Sequence, residues 1–284
     1  MPLRKLEPKF VERLWGSTEL EPWFPNPISG SLPIGPAVHI GEVWHEVPDD
    51  VPLLVKFLFT NKPLSIQVHP GDDYAQQHHH SPGKTEMWHV LRAEPSAKIC
   101  AGFHTPVSAE QVRIAAQSPD PGKIEGLLEW FDASPEDTFF IPAGVVHAIG
   151  AGLVLCEIQQ PSDVTYRIYD YGRGRELHLD HGLTVAQFGP HAARRKLPVT
   201  SDYFVTSRLT VHGQVLYRPM TQRAQLLIAI QGEGQIDGHP LKAGDVWHVP
   251  GDASHILITG QVTLLRASVP QPQPQDSGTI PSSA

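Results

Sequence analysis

The sequence predicts an all-β-dominated protein built from two similar β units. Three observations carry that expectation. Turn-forming residues are abundant: the 284 residues include 28 Pro and 24 Gly, above a usual combined share of ~12%, while charged residues make up 18% against a usual ~25%. Short β-rich runs recur along the chain with turn residues between them. And one spaced set of residues occurs twice.

The first group of runs is Val51 to Phe59, Leu64 to His69, Met87 to Leu91, Ala97 to Phe103, Thr138 to Ile141, Leu153 to Ile158 and Thr165 to Asp170. A second group follows Pro198: Phe204 to Val211, Gln225 to Ile230, Val246 to Val249, His255 to Ile258 and Val262 to Ala267, with Asp237 and Gly238 as a hairpin turn. Asp137, Pro142, His147 and Gly152 recur 108 positions later as Asp245, Pro250, His255 and Gly260. Four matches at one offset point to duplication. The form Pro-x-Gly-x-x-His, from Pro142 to His147, resembles the second conserved motif of cupins, in which a turn delivers a strand-borne histidine into a small barrel. That resemblance implies a double cupin.

Aligned on these anchors, Glu86 stands opposite Gln225, each opening an apolar strand. The first copy is then about thirty residues longer, and the excess is placed at 104–133. This insert reads as helical. Ser108 to Gln111 forms a capping-box pattern before Val112 and Ile114, and Lys123 to Phe131 has helix-compatible spacing. It is expected to act as a lid or as packing. The organisation expected is therefore a catalytic unit over 1–198, a metal-free unit over 199–269 and a disordered tail over 270–284, where Pro, Gln and Ser leave little to bury.

Charge excludes several functions. With 22 Lys+Arg against 30 Asp+Glu, a net charge of −8 gives no long-range attraction to nucleic acid or to anionic membranes. The polar opening lacks a secretory signal, two cysteines make no disulfide scaffold, and no apolar run reaches 18 residues. A cytoplasmic protein acting on a small molecule is expected, as a monomer or weak homo-oligomer.

Gln67 and His69 are two apart on a strand, so both project from one face. With Glu86 and His147 from other strands they would give an amide oxygen, two imidazoles and a carboxylate. Any one of these alone reads as an interior polar residue satisfied by hydrogen bonds. Together they read as a metal site of the mixed N/O kind that suits zinc and leaves room for substrate. A His/His/Glu set is also the facial triad of non-haem iron enzymes, so ligand type leaves Fe(II) open.

Longer stretches add a family. Pro63-Leu-Ser-Ile-Gln-Val-His-Pro-Gly-Asp-Asp-Tyr74, followed by Gly83-Lys-Thr-Glu-Met-Trp88, resembles the signature of type I mannose-6-phosphate isomerases. Ile141 to Ile149, Glu157 to Tyr171, Arg13 to Gly16 and Gly41 to Trp44 are similar to blocks of the short bacterial form, so the likeness covers about residues 10 to 190. It implies a zinc-dependent double-cupin enzyme, with one Zn2+ or another divalent metal per chain, that interconverts mannose 6-phosphate and fructose 6-phosphate through an enediol. It also places the metal ligands on Gln67, His69, Glu86 and His147, and the active-site arginine on Arg167.

The reaction gives other residues roles. Arg167, always cationic, would stabilise the enediolate or hold the phosphate, and the first is preferred; its plainer role is a rim partner for Asp163 or Asp170. Lys84 shares a strand face with Glu86, where burial beside other cations would depress its pKa and fit it for proton exchange; it would equally bind phosphate. Glu157, in an otherwise apolar run, is a candidate base or supporting carboxylate and should have a partner. His78, His79 and His80 are expected in a solvated loop, His178 and His181 at a polar rim, and Trp88, Tyr166 and Tyr169 in barrel packing. In the second copy His255, even with His248 nearby, has no ligand set around it. No Gly-rich phosphate loop is present. Isomerisation of an unphosphorylated sugar, an Fe(II) cupin oxygenase and a non-catalytic sugar-binding regulator are the competing functions.

Overall fold

The computed structural model describes residues 2–26, 38–220 and 222–270. The expected disordered tail lies, from residue 271 on, outside the described residues. Three antiparallel sheets carry the fold. A central seven-stranded sheet runs in the order Arg194–Arg195, Thr138–Ile141, Glu86–Ala93, Leu153–Gln159, Leu54–Thr60, Ile40–Glu46 and Pro8–Ser17. A five-stranded sheet runs Tyr166–Tyr169, Ile66–Val68, His147–Ile149, Lys98–Phe103 and Leu128–Asp132. A distal seven-stranded sheet holds Arg4–Leu6, Val246–Val249, Gln225–Ile236, Ile256–Ser268, Val205–Tyr217 and Val199–Thr200, with His239–Lys242 paired to Gln225–Ile236.

Side-chain alternation explains how these sheets stack. In Leu54–Thr60, Val55, Phe57 and Phe59 join a core with Leu226, Ile228, Leu265 and Ala267 of the distal sheet. The residues between them face the other way: Leu58 packs with Ile99, Ala101 and Ile149 of the five-stranded sheet. Leu153–Gln159 divides in the same manner, with Val154, Cys156 and Ile158 on one side and Leu153 and Leu155 on the other. A sheet covered on both faces reads as unbroken apolar runs, so the polar residues inside those runs stand out. Lys56 and Glu157 are the two that matter; each is 4% exposed or less.

The outer face of the five-stranded sheet is covered by helices. Helix α1 spans Asp72–His79, α2 Ala109–Gln117, α3 Pro121–Glu125 and α4 Leu179–Val185. Val112, Ala115 and Ala116 of α2, Ile124 of α3 and Leu183 of α4 pack on Ile66, Val68, Ala148 and Ile168. The expected capping box is present: Gln111 N–H donates to Ser108 Oγ at 3.2 Å and Ser108 N–H to Gln111 Oε1 at 2.8 Å. The second helix of the insert is shorter than its spacing predicts. After Glu125 the chain turns, and Leu128–Asp132 becomes an edge strand against Lys98–Phe103. The insert is therefore packing behind the five-stranded sheet and not a lid. Nor are His78 and His79 in a loop: they close α1, and His80 caps it in the left-handed conformation at φ 52°.

The duplication is visible in the backbone. Glu86 pairs with Ile141, and Gln225 pairs with Val249, the residue 108 positions beyond Ile141. Asp137 Oδ2 accepts from Ser134 N–H and Asp245 Oδ2 from Lys242 N–H, closing the same turn in each copy. The chain passes from the central sheet at Arg194–Arg195 to the distal sheet at Val199–Thr200. One strand crosses over: Arg4–Leu6 pairs with Val246–Val249, although Pro8–Ser17 directly after it lies in the central sheet. Among the described residues no helix is long and apolar enough to cross a membrane.

Candidate metal centre

The space between the central and five-stranded sheets collects the polar residues that both contribute. In the five-stranded sheet Gln67 pairs with His147 on one side and with Arg167 on the other, so all three project from the same face. His69 follows one residue after the strand Ile66–Val68. Glu86 comes from the opposite wall, where it opens its strand between Ile141 and Gln159. The start of that strand is held by α1. Gly83 N–H donates to Asp72 Oδ1 at 2.8 Å, and a Cβ on Gly83 would stand 2.7 Å from Asp72 N, so only glycine permits this approach.

His69, Glu86 and His147 are each 1% exposed or less, and their ligand atoms lie within 4.8 Å of one another. His69 Nδ1–H donates to Val164 O at 3.0 Å and His147 Nδ1–H to Val145 O at 2.8 Å. Those bonds fix the tautomer that leaves each Nε2 lone pair facing inward, the arrangement metal-binding histidines use. The Nε2 atoms are 3.5 Å and 3.4 Å from the Glu86 oxygens. Glu86 Oε2 is met by the Lys84 ammonium at 2.9 Å, whereas Oε1, equally buried, has no hydrogen-bond donor among the described residues. The Gln67 amide lies 3.3 Å from His147 Nε2, and a half-turn about its last bond exchanges nitrogen for oxygen at that point.

Electrostatics reinforce the arrangement. Burial, and then the Lys84 charge, lower the His69 pKa, and burial followed by His69 lowers that of His147 to about 3, so both rings are neutral. Burial alone would raise Glu86, but Lys84 and His69 hold it well below the usual carboxylate range. Lys84 Nζ stands 2.9 Å from Glu86 Oε2 and 3.1 Å from His69 Nε2. The depressed pKa expected for Lys84 is not found. Burial does work in that direction, but Glu86 and then Glu157 outweigh it and push the ammonium above its ordinary value. Lys84 is a fixed positive charge in this site.

Beside these donors opens a cavity of about 580 Å3, lined by Gln67, Lys84, Glu157 and Arg167 among others. The partner expected for Glu157 is there: Trp88 Nε1–H donates to Oε2 at 3.0 Å, and Lys56 Nζ lies 3.6 Å from Oε1. Burial, then the nearby Glu86 charge, raise the Glu157 pKa to about 6. Arg167 is not the rim partner of Asp163 or Asp170. Lys56 lies 3.5 Å from Asp163, Arg173 and Arg175 hold Asp170, and among the described residues no carboxylate stands within ion-pair distance of Arg167.

Several cavity residues were not singled out from the sequence. Lys56 is one, and a lysine inside the apolar run Val51 to Phe59 was the available signal. Trp88, assigned to packing, is buried but also caps Glu157 and lies edge-on to His147 with centroids 5.4 Å apart. Arg13, Glu42 and Arg175 also line the cavity. They reach it from separate strands and loops, which no local spacing reveals. His178 is at the rim as expected, its Nδ1 accepting from Arg167 N–H at 3.2 Å. His181 instead stacks on Tyr166 at 5.1 Å.

No protein-family model matches the chain. The probable mannose-6-phosphate isomerase GmuF of Bacillus subtilis is 32% identical to it, over 90% of this chain and 95% of that protein. The mannose-6-phosphate isomerase of Streptococcus mutans is 33% identical over 75% of this chain and 73% of its own length. Among solved structures, the mannose 6-phosphate isomerase of Bacillus subtilis matches with a TM-score of 0.77 and 28% identity, covering 93% of this chain and 98% of the other.

Proposed function

The chain belongs to the mannose-6-phosphate isomerase family, and from that premise we propose how its own residues interconvert mannose 6-phosphate and fructose 6-phosphate. The observation that carries the proposal is the convergence of two imidazole Nε2 atoms and a carboxylate, all buried, within 4.8 Å of one another. His69, Glu86 and His147, with the amide oxygen of Gln67, would hold one divalent ion. The mixed imidazole and oxygen set suits zinc. When bound, zinc supplies Lewis acidity toward the oxygens at C1 and C2 of the sugar.

The residues around it do the rest. In the forward direction the proton on C2 of the open-chain aldose is removed, the proton of the C2 hydroxyl passes to the C1 oxygen, and the first proton, returned to C1, leaves the carbonyl at C2. Glu157 carries that proton. Its acidity near 6 leaves it ionised at neutral pH, while its conjugate acid is still populated enough to give the proton back. Arg167 brings a guanidinium with no carboxylate at ion-pair distance among the described residues, suited to negative charge that exists only as the enediolate develops. Lys84 stays charged, holds Glu86 ionised and repels protons from His69.

The test is a coupled assay with mannose 6-phosphate, run before and after chelation and again after adding zinc, iron, manganese or cobalt. Activity should vanish on chelation and return best with zinc. Arg167→Ala should keep the metal and lose turnover. Full turnover in that variant would remove the role assigned to Arg167, and oxygen uptake on adding Fe(II) would favour the oxygenase instead.

A further inference from the structure

The cavity is not uniform along its depth. Its inner end holds Gln67, Lys84, Glu157 and Trp88, the last three nearly or fully buried. Its mouth carries two arginines alongside the acidic Glu12 and Asp163. Arg13 approaches from the central sheet on Pro8–Ser17, and Arg175 from the loop after Tyr166–Tyr169 on the other wall, with side chains 33% and 30% exposed. Each is fixed on one edge. Arg13 Nη2 bonds Glu42 Oε2 at 2.9 Å, and that same oxygen accepts from Trp44 Nε1–H at 2.7 Å. Arg175 grips Asp170 through Nε and Nη2. Both carboxylates thus act as posts; Arg175 keeps its Nη1 group for the mouth, while Arg13 Nη1 also makes a long bond, 3.4 Å, to Glu12 O.

We infer that Arg13 and Arg175 form a two-sided clamp for the substrate's phosphate, holding it at the mouth while C1 and C2 reach the inner end. The clamp rests on the isomerase reading and supplies the phosphate anchor that the sequence, lacking a Gly-rich loop, does not show. A dianion suits guanidinium groups, whose planar donors meet its oxygens in pairs. Opposed placement on two walls fixes its position as well as its charge. Crowding among the cations agrees: burial, and after it the charge of Arg175, lower the Arg167 pKa, with a smaller contribution from Arg13. An anion between them would relieve that repulsion.

The test compares mannose 6-phosphate with unphosphorylated mannose in the zinc-loaded enzyme, and measures inorganic phosphate binding by calorimetry. Arg13→Gln should raise KM for the phosphorylated sugar by about 10- to 100-fold, the loss expected for charge-assisted hydrogen bonds to a dianion. The ratio of kcat/KM between the two sugars should fall by the same factor, and phosphate affinity with it. Arg175→Lys, which keeps a cation beside Asp170 but removes the fork, should show a smaller shift of the same kind. Lys62→Ala, which removes an exposed charge outside the cavity, controls for net charge and should leave the ratio alone. Equal losses on both sugars in Arg13→Gln, or unchanged phosphate affinity, would overturn the clamp. A wild-type enzyme that turned over neither sugar would instead remove the isomerase reading, and phosphate binding would still decide the clamp.

Discussion

The two copies share a frame and differ in what that frame encloses. Glu86 and Gln225 take the same place in their strands, and Trp88 corresponds to Leu227 two residues on. Asp137 and Asp245 close the same turn. After the turn the copies diverge. In the first, His147 starts a three-residue strand held between Gln67 and Ala101 in a sheet of its own, and the chain re-enters the central sheet at Leu153. In the second, Ile256–Ser268 is one unbroken strand of 13 residues, and His255 before it is exposed, accepting from Arg218 Nε at 3.3 Å. Gln225 is fully buried and bonded to Tyr217, and Leu227, Trp247, Ile258 and Leu264 fill the interior. His248 is tied to Asp50. A turn that can deliver a histidine is thus not a metal site. It needs a second sheet to bring a partner strand to the same point.

Making the first copy resemble the second should have the largest effect. Glu86→Gln should lose bound metal, and kcat/KM should fall on the order of a thousandfold or more, beyond the 10- to 100-fold cost of disturbing a group behind a ligand. Metal analysis and the coupled assay check it; a variant that retained stoichiometric metal would break the comparison. The reverse change should not create a site. Gln225→Glu puts a carboxylate in a fully buried place beside the Tyr217 hydroxyl, so it should lower the melting temperature, with no recovery on adding zinc. A zinc-dependent rise in melting temperature would show the second copy to be a latent site.

The next test concerns Trp88, whose counterpart offers no hydrogen bond. Because Glu157 must be ionised to accept a proton, activity should rise with pH through about 6. Trp88→Phe removes a donor to the ionised carboxylate, so the acidic limb should move to higher pH, by on the order of one unit. A pH–rate profile that did not move would detach Glu157 from proton transfer. The smallest effect concerns the insert that only the first copy carries. Ser108→Ala should cost about 1 kcal/mol in thermal unfolding through its lost cap, with kcat unchanged. A drop in kcat would make the insert more than packing.

Much of the fold was legible because covered strands are apolar and their turns are chemical. The core strands of both copies, the duplication and the capping box could all be read directly. The strands Pro8–Ser17 and Ile40–Glu46 could not be found in the same way, since the first is largely exposed and carries Lys, Glu and Arg on its faces. Helix α1 buries only Ala75 and so has no apolar stripe. Its legible marks were Asp72 and Asp73 in the first turn and His78 and His79 in the last, which complement the helix dipole. In the site, Gln67 and His69 were readable from strand alternation, and Glu86 and His147 from the repeat and the family resemblance. The state of Lys84 was not, because its charge is set by Glu86 and Glu157, the second of which is far off in sequence. Arg13 and Arg175 meet only through tertiary structure.

The pairing of Arg4–Leu6 with Val246–Val249 bears on biosynthesis. A growing polypeptide releases those first residues early, yet their partner strand is translated only after some 240 further residues, and the Lys5 to Asp245 ion pair at 2.6 Å waits as long. On the outer face of the central sheet, Phe57 and Phe59 pack early against Phe24, but Leu226, Ile228, Leu265 and Ala267 of the second copy join that core only later. The first copy therefore reaches its final packing only after the second has been made, and the second acts as a late closure.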